Sequence, residues 1–228
     1  MCERVRAEVS RSSLSMLDAL ALEARVAEIE EIVPLGRQAV DQARRRVLGG
    51  EQVPNDEKLF SIFEPHTELL KRGKANKDVE FGHMLNICQI ESKFITDYEV
   101  FEKKPVEYEL IDGAIERHEA LFGAAPQVLA ADKGYWQDAF TTERLRWQVE
   151  LVSIAKKGSR TEEERAYERS LPFRLAQSFR AGVEGSISFL KRMLGLWRCM
   201  NKGFDHFVST VGASVFAHNL LILSRAPG

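Results

Sequence analysis

The stretch MLNICQIESKFITDYEVF, residues 84–101, decides the fold class. Met84–Ile90 is a mostly apolar run of strand length. Phe94–Phe101 alternates, with Phe94, Tyr98 and Val100 on one face and Asp97 and Glu99 on the other, the two-residue period of a half-covered strand. The short gap at Ser92 and Lys93 predicts an antiparallel hairpin. Upstream, Leu59–Glu64 reads as a further short strand, and Gly73, among the basic residues Lys71, Arg72 and Lys74, is expected to break the chain after it.

Downstream, a helix is predicted from about Val106 to Phe122, with Ile111, Ala114, Ile115, Leu121 and Phe122 on one side. Gly123 is placed to end it and Pro126 prevents its restart. Gln127–Ala131 reads as a strand stopped by Asp132, Lys133 and Gly134. A helix over Gln137–Trp147 and a strand over Val149–Ala155 follow. Lys156–Arg169 is dense in both charges and reads as an exposed loop or frayed helix, before two closing helices, Pro172–Leu194 and Phe204–Leu223. Such alternation predicts one α/β domain, a mixed sheet covered by helices on both faces. The first fifty residues read instead as two helices. Leu22, Val26, Ile29 and Val33 draw one apolar stripe, Pro34 opens the second helix, and Gly49 and Gly50 stop it.

Composition narrows the class without naming a partner. Charged residues make up 29% of the 228 and the hydrophobic set 44%, which excludes a disordered or collagen-like chain. Thirty-two Lys and Arg against thirty-four Asp and Glu leave a net charge of −2. The three cysteines, Cys2, Cys88 and Cys199, are far apart and lack metal-ligand spacing, as expected of reduced thiols in the cytoplasm. The longest apolar stretch, Val211–Leu223, is too short to span a bilayer, and the amino terminus has charges where a signal peptide needs its apolar core. The expectation is a chain with no membrane partner.

Two carboxylates stand out. Asp132 ends a short apolar strand at a turn made by Gly134, and open α/β sheets collect their ligand sites beyond the carboxyl ends of their strands. The plain alternative is a loop Asp that caps the next helical turn. Glu184 is the single acid between Ser170 and Lys202, among Arg174, Arg180, Lys191, Arg192, Arg198 and Lys202. On a helix Arg180 and Glu184 are adjacent at four residues, and Lys191, eleven residues beyond Arg180, returns to the same face. The plain alternative is a surface ion pair, which explains the pair but not the basic stripe around it. Gly182 and Gly185 beside Glu184 each cost helix stability, about 1 kcal/mol, and would let a backbone or ligand approach closely.

The pattern Arg180-x3-Glu184-x6-Lys191 resembles the Arg–Glu–Lys part of the signature helix of bacterial insertion-sequence transposases with a DDE catalytic site. The segments SIFEPHTELLKRGKA (61–75), EFGHML (80–85), AADKGYW (130–136), RAGVEGSISFLKRMLGLWRC (180–199) and VGASVFAHNL (211–220) resemble one subgroup of these enzymes. The likeness runs in order from about Val40 to Leu223. It implies an α/β fold with a partial ribonuclease-H-like mixed sheet and flanking helices over residues 53–228, preceded by a helical segment over 1–52, the remnant of a helical insertion. It implies Mg²⁺-dependent DNA strand cleavage and transfer at element ends, with Asp132 and Glu184 as catalytic metal ligands and Arg180, Lys191 and Arg192 on the transposon-end backbone. The partners implied are DNA and a second or full-length transposase subunit, with no small-molecule cofactor, at the bacterial nucleoid.

The sequence departs from that pattern in two places. The family's signature opens with a Tyr three residues before the Arg, where this chain has Gln177. The family's first acid belongs to an Asp-Thr-Thr motif on the opening strand, and no such motif occurs here. The chain therefore resembles the carboxyl-terminal half of a longer transposase, with Glu64 and Glu91 as candidates for the missing acid, unless a partner chain supplies it. Two readings stay open: an active enzyme, and a non-cleaving remnant that binds DNA or a full-length transposase. An unrelated α/β enzyme lacks support, since there is no Gly-rich phosphate loop, G-x-S-x-G or Cys/His dyad. His66, near Glu64 and Glu68, is a conceivable ligand. His83, His118, His206 and His218 read as loop or core histidines, and Trp147 and Trp197 as packing residues rather than base-stacking platforms.

Overall fold

In the computed structural model, which describes residues 2–9, 15–74 and 77–225, helix α1 spans Cys2–Val9 and α2 spans Met16–Val47. Ser15 caps α2, its hydroxyl accepting from the Asp18 N–H at 3.2 Å. The sequence places a break at Pro34, but one helix runs through it. A proline inside a helix loses a hydrogen bond and crowds the preceding turn, a cost of about 3 kcal/mol. Contacts on either side of it tie the helix to other segments. Arg6 pairs with Glu30 at 2.8 Å, the Gln42 side chain accepts from the Leu59 N–H at 2.9 Å, and Arg45 pairs with Glu51 at 2.5 Å and Glu57 at 2.8 Å.

The segment Leu59–Glu64 is irregular rather than a strand. A hairpin follows instead, β1 (Glu68–Lys74) antiparallel to β2 (Lys77–Gly82). Gly73 lies inside β1, where the register slips between Lys71 and Lys74, a site at which a strand tolerates glycine. The side chains of Lys71, Arg72 and Lys74 lie outside the described residues. These elements form a first compact unit, Met1–Gly82; the second is His83–Gly228.

The second unit opens with the expected hairpin, β3 (Met84–Gln89) antiparallel to β4 (Ile95–Phe101). A 3-10 turn at Glu107–Glu109 leads into α3 (Leu110–Phe122), which Gly123 ends in the left-handed region at φ 78°. β5 (Val128–Ala130) runs parallel to β6 (Leu151–Ser153), with α4 (Ala139–Leu145) in their crossover. α5 (Glu162–Arg169) takes the helical one of the two alternatives, and Thr161 and Glu164 start it with a reciprocal capping box. α6 (Leu171–Met193) and α7 (Phe204–Ser224) complete the unit.

The alternating order is as expected, but the single mixed sheet is not seen. The architecture is mixed α/β with three two-stranded sheets, because no ladder joins β3–β4 to β5–β6. The flanking helices hold the two pairs instead. Ile111 and Ile115 of α3 share a core with Val149, Val152 and Ile154, while Arg117 of α3 pairs with Asp97 at 2.7 Å and with Glu99 of β4. On the opposite face Leu190 of α6 and Val211 and Val215 of α7 pack with Ile95, Leu85 and Ile87. α7 extends beyond the apolar stretch read from sequence, and by length and composition it is long enough to cross a membrane. Here Val211, Val215 and His218 are buried, and Asn219 hydrogen-bonds both backbone groups of Ile95, at 2.8 and 2.9 Å.

Candidate functional site

Gln177 fixes α6 over the ends of the parallel strands. Its Nε2 donates to the Ser153 carbonyl at 2.6 Å, the Ser153 hydroxyl at 3.1 Å and the Ala131 carbonyl at 3.3 Å. The Ser153 hydroxyl in turn donates to the Phe173 carbonyl at 3.0 Å. One and two turns beyond Gln177, α6 presents Arg180 and Glu184 above the residue that follows Ala131, which is Asp132. The Arg180 Nη1 lies 4.0 Å from Asp132 Oδ2 and 3.5 Å from Glu184 Oε1. Two acids fifty-two positions apart thus meet at one guanidinium.

Asp132 also does what the plain reading asks, since its other oxygen accepts from the Lys133 N–H at 2.7 Å and caps a 3-10 turn over Lys133–Tyr135. That bond orients the carboxylate and leaves Oδ2 toward Arg180. Both acids are open to solvent, with side chains 69% and 73% exposed, whereas Arg180 is only 25% exposed. Its Nε is buried without a hydrogen-bond partner. At 4 Å opposite charges attract by roughly 1 kcal/mol in water and about 4 at an effective dielectric of 20. Contacts this long and open hold the acids loosely, within reach of an incoming cation.

Along α6, Lys191 lies two turns beyond Glu184 on the same face and is half-buried, while Arg192 is exposed on the flank, turned about 80° around the axis. A Cβ at Gly182 or Gly185 would meet nothing within 4 Å, so both glycines leave open surface beside Glu184. Close by, the Tyr135 hydroxyl donates to Asn86 Oδ1 at 2.8 Å; burial, with Glu107 beside it, raises the phenol pKa and keeps it a donor. Burial also pushes the Cys88 thiol up to about 11, with Asp97 adding to the effect, which leaves it a poor nucleophile.

Exposed Asp and Glu oxygens suit Mg²⁺, which keeps several waters and binds through one or two carboxylates. In its chemistry the donor set suits one hydrated Mg²⁺. It does not fit a two-metal clamp, because among the described residues no three His, Cys, Asp or Glu side chains gather into a metal cluster. Glu64 hydrogen-bonds His66 at 2.7 Å in the first unit, and Glu91 sits in the turn between β3 and β4. His83 packs against Phe204 and Phe207, His118 against Phe122, and His218 hydrogen-bonds the Lys93 carbonyl at 3.0 Å. Trp147 is 84% and Trp197 65% exposed, so most of each indole lies outside the core. In the sequence Gln177 stands out only as a departure from the family pattern, and its place three residues before Arg180 is the signal that points to it.

Comparison with protein-family models, with curated proteins and with solved structures gave no match.

Proposed function

We propose that this chain is a DNA-binding protein of DDE-transposase descent, in which α6 lies along the phosphate backbone and Asp132 and Glu184 hold one Mg²⁺. The observation that carries the reading is the meeting of Asp132, Arg180 and Glu184 at the carboxyl ends of two parallel strands. Arg180, Lys191 and Arg192 contact phosphates, which position a duplex without reading its sequence. The exposed indole of Trp197, within the basic stretch, adds an apolar surface for DNA. A bound Mg²⁺ would supply Lewis-acid polarisation of a phosphoryl oxygen.

In the chain's own residues, the Lys133 N–H orients Asp132 and Gln177 holds the helix that carries Glu184, while Arg180 neutralises both acids until phosphate arrives. In-line cleavage in a two-metal site requires ions about 3.5–4 Å apart, and the pair of acids does not supply that clamp. The non-cleaving form of the reading is therefore favoured. A ribonuclease-H-like ancestry, association with a second or full-length transposase subunit and a place at the nucleoid belong to the same proposal.

Fluorescence anisotropy with a short random-sequence duplex tests it. Binding weakens steeply with salt, and Arg180→Ala, Lys191→Ala and Arg192→Ala each reduce the slope of log K against log salt by about 1. Salt-independent binding overturns the backbone contacts. Nicking of supercoiled plasmid in Mg²⁺ that is abolished by Asp132→Ala or Glu184→Gln overturns the non-cleaving form and establishes the active one.

A further inference from the structure

The four strands of the second unit have unequal edges. On the side of β4 away from β3, Asn219 of α7 occupies both the N–H and the carbonyl of Ile95, at 2.9 and 2.8 Å. On the side of β6 away from β5, the Tyr167 hydroxyl of α5 donates to the Val152 carbonyl at 2.9 Å. A helix thus clips the outer edge of each pair. Among the described residues, no hydrogen bond reaches the backbone edge of β3 away from β4, or that of β5 away from β6.

The same two helices bracket both pairs, which sets the two unclipped edges in one layer. α3 covers one face of it, touching β4 through Arg117 and β6 through Ile111 and Ile115. α6 covers the other, touching the ends of β5 and β6 through Gln177 and the β3–β4 pair through Leu190. Tyr135, just beyond β5, reaches Asn86 of β3 at 2.8 Å, which places the open edges on the inner side of the layer. Backbone groups at an inner edge call for partners, and an unpaired edge is a template for another strand.

We infer that the open edges of β3 and β5 form a slot for an added β-strand, supplied by another polypeptide and apolar on both of its faces. The apolarity follows from the covering helices, since a strand buried on both faces reads as a continuous hydrophobic run rather than an alternating one. Main-chain hydrogen bonds to both edges give the affinity, and the side chains of α3 and α6 select the sequence. The inference is independent of DNA binding and of the acids at the strand ends.

The test is amide hydrogen exchange on the full chain, with and without a synthetic peptide of about six valines and isoleucines, the length of a typical strand, carrying lysines at both ends. The expected result is exchange slowed by about tenfold or more at residues 84–89 and 128–130 together, with no slowing by the same peptide bearing a central proline, which removes a ladder donor. No protection at saturating peptide, protection on only one edge, or equal protection by the proline peptide overturns the slot. Protection that rises with protein concentration in the absence of peptide, accompanied by dimerisation, assigns the edges to a second copy and overturns it as well.

Discussion

Replacement of Gln177 by Leu keeps the volume of the side chain and removes its donor. In the native chain that donor serves Ser153 and Ala131 at 2.6 and 3.3 Å. The Ser153 carbonyl keeps the Ala131 N–H at 3.2 Å and its hydroxyl keeps Phe173 at 3.0 Å, so Ser153 remains satisfied. The Ala131 carbonyl loses its bond and stays partly buried, which costs about 1–3 kcal/mol. Taking about 2 kcal/mol, and about 2–4 °C per kcal/mol for a chain of this size, the melting temperature falls by about 4–8 °C. Thermal melts by circular dichroism read the fall directly. Because Ala131 precedes Asp132, the same variant also weakens any affinity that needs Asp132 and Glu184 together. A Gln177→Leu protein with unchanged melting temperature would refute the claim that this amide fastens α6 to the strand ends.

Two further outcomes follow from the site and its surroundings. Gly185→Ala, with nothing within 4 Å of the added Cβ, gains helix propensity of about 1 kcal/mol and raises the melting temperature; a lowered one contradicts the open surface beside Glu184. Glu164 hydrogen-bonds Lys156 and the Thr161 N–H, which hold its carboxyl below the ordinary 4.5 in the folded chain. Its contribution is therefore present above that value and lost as pH falls through the folded pKa. Exchange protection across α5 should drop between pH 4.5 and lower values, and Glu164→Gln should remove the dependence; protection that rises on acidification contradicts the pairing.

Local chemistry was legible in the sequence wherever one segment decided it. The two-residue alternation of Phe94–Phe101 gave β4, Gly123 gave the end of α3, and four-residue spacing gave the Arg180–Glu184 pair. Features that depend on distant partners were not legible. Pro34 lies inside a helix that other segments brace, Arg6 at Glu30, Leu59 at Gln42, and Glu51 and Glu57 at Arg45. β1 and β2 carry charges without a clean alternation, and a two-stranded ribbon needs little apolar signal. The separation of β3–β4 from β5–β6 is a matter of which edges find partners, and alternation along the chain carries no trace of it. Gln177 acts on carbonyls forty-six and twenty-four residues away, so only the folded chain shows why an amide suits that position.

Asp132 and Glu184, on the reading proposed above, act together on one cation. Electron paramagnetic resonance of Mn²⁺, an oxygen-seeking substitute for Mg²⁺, titrated into the intact chain measures it. One bound ion is expected, lost in both Asp132→Asn and Glu184→Gln and displaced by excess Mg²⁺. Binding that survives both substitutions, or no binding by the native chain, contradicts it.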